Sequence, residues 1–189
     1  DDPEYWLAAG DGHRKQGSNE EAISCYRKAS ELDPRHERGL WGWARCLMSL
    51  KRDDEAGAVV DRALAGNPGD ADFLNLKGSL LMEAGRHEEA LAAADLAVRA
   101  APKNTASWLI KGLCESALGR LLQAAHSRHV VLKLPLSDAQ KPSWAKLSGW
   151  IAQEVKKRSS STWARASAVF FCWSWISASR VARSSSSFF

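Results

Sequence analysis

The sequence predicts an all-α solenoid of four antiparallel helix hairpins closed by one further helix. Three observations carry this reading. Pro34, Pro68 and Pro102 recur at intervals of 34 residues, a period that marks stacked helical repeats. Each is preceded by an alanine-rich stretch with helical periodicity. Small residues return at two fixed places in every period: Gly10, Ala44, Gly78 and Gly112 at the eighth position, and Ala22, Ala56, Ala90 and Ala124 at the twentieth. Small side chains at such places let two helices cross closely.

The period sets four units, 3–36, 37–70, 71–104 and 105–138. In the first, Trp6 is a large apolar knob at position 4 and Ala29 a small partner at position 27; Gly17 supplies the turn between the two helices. The second repeats this with Leu40 and Ala63, but Lys51 stands where the turn glycine is expected, which makes that turn the least typical. The third has Leu74, Ala97 and Gly85, and the fourth Trp108, Val131 and Gly119. Between units the proline halts the helix, with Asp33, Asn67, Asp70 and Asn104 beside it as residues able to cap the next one. Beyond the fourth unit, Trp144, Leu147, Trp150, Ile151 and Val155 fall at helical spacing, and Lys156, Lys157 and Arg158 suit a helix C-terminus. Residues 139–158 therefore read as a capping helix.

Trp6, Ala9, Gly10, Ala22, Tyr26, Ala29 and Pro34 fill the W-x2-L-G, A-x3-F, A and P places of a known pattern. The chain resembles the tetratricopeptide repeat family over about residues 3–138. It departs at Lys77 and Lys111, where the first helix usually has Leu, at Arg128, where the second usually has an aromatic residue, and at Pro135, which comes one place early. The resemblance implies a right-handed solenoid whose concave face is lined by positions 2, 5, 9 and 12 of each unit, and a function in holding other proteins. Those positions are Glu4, Leu7, Asp11 and Arg14; Arg38, Trp41, Arg45 and Met48; Asp72, Asn75, Ser79 and Met82; and Ala106, Leu109, Leu113 and Ser116.

One version of the family grips a partner's C-terminal carboxylate with Lys, Asn and Arg at set positions of three successive units. The matching places here hold Leu7, Asp11, Gly42, Asp72 and Leu76, or, one unit on, Trp41, Arg45, Leu76, Ala106 and Ile110. No carboxylate clamp for chaperone tails is expected. What remains as the partner-binding set is Arg38, Trp41, Arg45, Met48, Asn75, Met82, Leu109 and Leu113, which suits an amphipathic helix or an extended segment with acidic flanks. The competing account packs Trp41 on a neighbouring helix and pairs Arg38 and Arg45 with acids such as Asp72, at little energetic gain.

Composition agrees with a folded chain: of 189 residues, 45% are hydrophobic and 25% charged, with a net charge of +4. Up to Asp138 there are 18 Lys and Arg against 21 Asp and Glu, and after it 8 against 1. A basic end can favour nucleic acid or an anionic membrane, but a solvated end is the simpler reading, so nucleic acid is not an expected partner. Cys25, Cys46, Cys114 and Cys172 are far apart and form no CxxC pair, which reads as reduced thiols. The acidic start Asp1-Asp2-Pro3-Glu4 is no secretory signal and lacks an initiator Met. A cytoplasmic fragment or processed form is expected.

Catalytic and metal signatures are missing. His126 and His129 lie three apart, but no carboxylate or thiol completes a ligand set. The acidic pairs Glu20-Glu21, Asp53-Asp54 and Glu88-Glu89 sit where second helices begin, where the macrodipole favours them. No GxxxxGK[ST], GxGxxG, GxSxG or HExxH occurs. Neither an enzyme nor a cofactor is expected. In the tail, 159–189, 11 of 31 residues are Ser, and its apolar run from Ala166 to Ala178 falls short of the roughly 20 residues a spanning helix needs. Docking on the solenoid or disorder is expected ahead of an unnatural end, and that ahead of membrane contact. The expected function is a scaffold that binds a peptide or helix of a partner; the alternative is a targeting or regulatory repeat region of a larger enzyme or of a membrane-associated assembly factor.

Overall fold

The computed structural model describes residues 2–135 and 137–158, and the apolar stretch of the tail lies outside them. Among the described residues the chain is all-α: α1 (Pro3–Lys15), α2 (Asn19–Leu32), α3 (Glu37–Ser49), α4 (Asp53–Gly66), α5 (Ala71–Glu83), α6 (His87–Ala100), α7 (Thr105–Ala117), α8 (Leu121–Val131), a single 3-10 turn at Asp138–Gln140, and α9 (Lys141–Arg158). Consecutive helices pack as antiparallel pairs, α1 with α2, α3 with α4, α5 with α6 and α7 with α8, and the pairs stack in chain order.

Local chemistry sets the helix ends. Asp2, Asp70 and Asn104 cap α1, α5 and α7: their side-chain oxygens accept from the backbone N–H of Glu4 at 2.9 Å, of Asp72 at 2.9 Å and of Ala106 at 2.9 Å. Each bond satisfies an orphan donor of the first turn. Asp33 and Asn67 do otherwise. Asp33 accepts from the Arg35 N–H at 3.1 Å and so holds the turn, and Asn67 stands at the C-terminal end of α4. Within the hairpins, Gly17, Gly85 and Gly119 have φ of +81°, +74° and +71°, and Lys51 takes the same left-handed place at φ 59°. The turn is built alike in all four units, and in the second a side chain tolerates a conformation that glycine adopts freely.

Stacking depends on the small residue at position 8. A Cβ added to Gly78 would lie 3.1 Å from Cγ2 of Ile110, and one added to Gly112 would lie 2.7 Å from Cδ2 of Leu147. Gly78 thus receives the position-6 side chain of the next unit, and Gly112 receives Leu147. Leu147 belongs to α9, so α9 takes the place that another unit's first helix would occupy, and it packs on α7 and α8. Leu147, Ile151 and Ala124 form a buried cluster with Trp150, Val155, Leu113 and Leu121 around it.

The departures from the repeat pattern have partners. Lys77 pairs with Asp61 at 2.8 Å and Lys111 with Asp95 at 2.7 Å, so each lysine on a first helix reaches an acid on the preceding second helix. Arg128 donates to the Ser148 hydroxyl at 3.2 Å and lies 5.3 Å from the centre of the Trp144 ring, and both contacts are on α9. An arginine in place of the usual aromatic residue ties α8 to the closing helix.

Candidate functional site

The first two units meet differently from the rest. Where Gly78 receives Ile110 from position 6 of the next unit, the corresponding position of α3 is Gly42. The space goes to the ring of Tyr26, which is fully buried. A Cβ on Gly42 would sit 2.4 Å from Cζ of that ring, and one on Gly10 2.8 Å from its Cε1. The ring passes between two glycines and carries its hydroxyl to the face formed by α1 and α3.

There Tyr26 donates to Oδ1 of Asp11 at 2.7 Å and accepts from Nε of Arg14 at 3.3 Å. Arg38 on α3 donates through Nε to Oδ2 of Asp11 at 3.1 Å and through Nη2 to the same oxygen. Arg38 also approaches Glu4 at 4.0 Å, and Glu4 meets His36 at 3.0 Å. Burial pushes the Asp11 carboxyl up, but the hydrogen bonds from Tyr26 and Arg38 outweigh it and hold the group below the ordinary carboxylate value. The Tyr26 phenol is pushed up by burial and by the Asp11 carboxylate. Asp11 therefore stays ionised, and Arg38 is committed to it.

Beside this network lies Trp41, half-buried. The Arg14 guanidinium lies 5.8 Å and the Arg45 guanidinium 5.0 Å from its ring centre, both within cation–π reach. Arg45 is exposed, and among the described residues no ion pair joins it to an acid. A cavity of about 200 Å³ is lined by Trp41 together with Glu37, Arg38, Asp70, Asp72 and Phe73.

The eight residues expected to bind a partner are thus placed unevenly. Arg38 and Arg45 are exposed, and Arg38 pairs backwards with Asp11 and Glu4 rather than forwards with Asp72. Trp41, Met48, Met82 and Leu113 are half-buried, Met48 against the first core, Met82 against Leu81, Leu91 and Cys114, and Leu113 against the α9 cluster. Asn75 and Leu109 are only 7% and 2% exposed. Asp11 and Tyr26 were not in the set; the joint occurrence of Gly10, Gly42 and an aromatic residue at position 24 is the signal that finds them.

Elsewhere, Glu115 is buried and accepts from the Ser127 hydroxyl at 2.7 Å; burial raises its carboxyl, and that bond and Lys111 offset the rise only in part. Cys25, Cys46 and Cys114 are free and buried, and burial pushes the Cys114 thiol up to about 12, which makes it an unreactive one. His126 packs against Trp108 with ring centres 6.0 Å apart. Among the described residues no group of three or more His, Cys, Asp or Glu is arranged to hold a metal ion, and no helix is long and apolar enough to cross a membrane.

Comparison with known proteins agrees with the architecture. Two family models, both described as tetratricopeptide repeat, match residues 13–80 and, in two overlapping stretches, 58–105 and 75–127. Human tetratricopeptide repeat protein 33 is 32% identical over 118 residues, which make up 59% of this chain and 45% of that protein. The chain thus spans less than half the length of that relative. Among solved structures, pilF of Pseudomonas aeruginosa superposes with a TM-score of 0.70 at 24% identity, covering 87% of this chain and 72% of that one. The first tetratricopeptide domain of Spaghetti (RPAP3), bound to the HSP90 peptide SRMEEVD, gives a TM-score of 0.59 at 23% identity, covering 62% and 93%. At these identities the two structures speak for the fold. With a 34-residue period, left-handed turns in every hairpin and matching family models along most of the repeat region, the chain belongs to the tetratricopeptide repeat family.

Proposed function

We propose that this chain is a protein-interaction scaffold which holds a short segment of a partner against the face of α1, α3 and α5. The observation that carries this is the arrangement at Trp41: a half-buried indole flanked by two guanidiniums, of which Arg45 pairs with no acid among the described residues. Trp41 is the apolar anchor, with Met48 and Met82 extending the apolar strip, while Arg45 and Arg14 orient an acidic side chain of the partner. Arg38, spent on Asp11, shapes the site. Support for peptide binding by this fold comes from the RPAP3 domain, solved with its peptide; the residues that would make a carboxylate clamp are not at the matching places here, so the segment is internal rather than a chain end. The buried thiols suit a reducing compartment such as the cytoplasm. Since the relative is more than twice as long as the matched stretch, this binding role is compatible with a targeting or regulatory region of a larger protein.

A random 12-residue peptide library displayed on phage tests the siting. Selection on the full chain should enrich peptides with an apolar residue flanked by Asp or Glu, and Trp41→Ala and Arg45→Glu should each lose them. Retention of the same peptides by both variants would refute it.

A further inference from the structure

The cavity that Trp41 lines has the chemistry of a receptor for a positive charge. Its volume of about 200 Å³ is more than ten times the roughly 10–15 Å³ that one water molecule needs. Trp41 on α3 and Phe73 on α5 give it an apolar wall, Glu37, Asp70 and Asp72 give it three carboxylates, and Arg38 gives it one guanidinium. Arg38 is already matched, since it donates to Asp11 and approaches Glu4, both on α1. The carboxylates are not. Asp70 accepts from the backbone N–H groups of Asp72 and Phe73 as a helix cap, and Asp72 accepts from the Asn104 amide at 3.4 Å. Among the described residues no ion pair joins any of the three to a base. Elsewhere along the stack exposed acids are paired, Asp61 with Lys77 and Glu88 with Arg120. An acid in the first turn of a helix has an ordinary explanation in the macrodipole, and magnitude decides how far it reaches here. The N-termini of α3 and α5 together supply about one positive charge, which leaves about two of the three negative charges unmatched. The repeat does not require them either, because the first turn of α7 has no acid.

We infer that this cavity receives the side chain of a lysine or arginine of the bound segment, its methylene stem against Trp41 and its charged head between Glu37 and Asp72. Asp70, occupied as a cap, adds its charge. This inference rests on the reading that a segment lies along the face at Trp41, and it gives that segment a second charged residue. An apolar wall beside carboxylates fits a side chain that is apolar along its stem and charged at its end. A metal ion does not fit, because among the described residues no group of three or more His, Cys, Asp or Glu is arranged to hold one. On α3, Glu37, Trp41 and Arg45 follow one another at intervals of four, which puts them on one face of the helix. At a rise of 1.5 Å per residue they spread over about 12 Å with Trp41 in the middle. An extended chain covers that distance in about four residues. The segment therefore carries its basic and its acidic residue on opposite sides of the apolar one, and the two charges fix its register on Trp41.

The experiment selects the displayed 12-residue library on the full chain and then compares synthetic copies of the enriched peptides with copies in which norleucine replaces the basic residue, which keeps an apolar stem and removes the charge. Enriched peptides should carry Lys or Arg about four residues from the acid, with the apolar anchor between them. In calorimetry norleucine should cost the wild-type chain roughly tenfold in affinity. It should cost a chain with both Glu37→Gln and Asp72→Asn nothing further. Selection on a chain with both Glu37→Lys and Asp72→Lys should exchange the basic residue for Asp or Glu while keeping the anchor and the acid that faces Arg45, an outcome that a loss of folding does not produce. Enriched peptides with no basic residue at that place, or an equal norleucine penalty in the wild-type and the doubly neutralised chain, overturn this inference. The Trp41 site then stands if Trp41→Ala loses the same peptides and falls with it if Trp41→Ala retains them. Failure of the wild-type chain to enrich any peptide overturns both.

Discussion

The junction between the first two units and the one between α7 and α9 start from the same residue type at the same place and end in different structures. At Gly112 the missing side chain admits Leu147, and the result is an apolar seal. At Gly10 the facing position is Gly42 as well, so nothing from α3 fills the gap, and the Tyr26 ring comes through it from behind with its hydroxyl bound to Asp11. A glycine in a helical repeat marks a close approach without saying what approaches. One end of the solenoid uses the space to close the core; the other uses it to build a charged face.

The contrast can be broken from either side. The largest effect is expected for Leu147→Ala, which empties the Gly112 contact and should cost about 3 kcal/mol in denaturant unfolding, with α9 amides losing hydrogen-exchange protection first. Gly42→Ala places a methyl group inside the Tyr26 ring and should cost about 2 kcal/mol. Adding Tyr26→Val, the residue that Val60 represents in the second unit, should recover much of that loss, whereas the two costs would simply add if the glycines had no relation to the ring. Tyr26→Phe leaves the packing intact but removes a donor from Asp11, so about 1 kcal/mol is expected. In the opposite direction, Lys51→Gly should stabilise the chain by about 1 kcal/mol by relieving a left-handed lysine.

Acid should separate the two ends by sign. Asp11 has a folded value below its ordinary 3.8, so its stabilising contribution is complete above that pH and is lost as pH falls through the folded value. Glu115 has a folded value above its ordinary 4.5, so its contribution favours folding at and below that pH and is lost as pH rises through the folded value. Lowering the pH from neutral should thus strengthen the α7–α8 hairpin before it weakens the α1–α3 junction. Glu115→Gln should flatten the first trend and Asp11→Asn the second, as followed by hydrogen exchange resolved to each helix pair.

The fold was legible because a solenoid is a local object: each unit touches its neighbours, so a 34-residue period and small residues at fixed places define helices and turns together. The turn at Lys51 reads as the least typical from the sequence, whereas the structure gives it the same left-handed conformation as Gly17, Gly85 and Gly119. The lysines at 77 and 111 read as anomalies because their meaning lies 16 residues back, at Asp61 and Asp95, on a helix of the preceding unit. Trp41 and Arg45 were named for the candidate face from the repeat positions that the family resemblance implies. The face was illegible at Tyr26, and Asp11 was named without its tie to Tyr26, since a hydroxyl reaching that face requires two glycines on different helices and an aromatic residue on a third. The burial of Asn75 and Leu109 likewise depends on the helices packed around them, which position within one repeat does not tell.

The most direct test of the face at Trp41 follows the tryptophan indole N–H signals by NMR as an enriched peptide is titrated into the full chain. Partner binding between α1, α3 and α5 predicts that the Trp41 signal shifts in proportion to occupancy while that of Trp150, on α9, stays in place. Movement of Trp150 with Trp41 unmoved would contradict it and transfer the binding site to the closing helix.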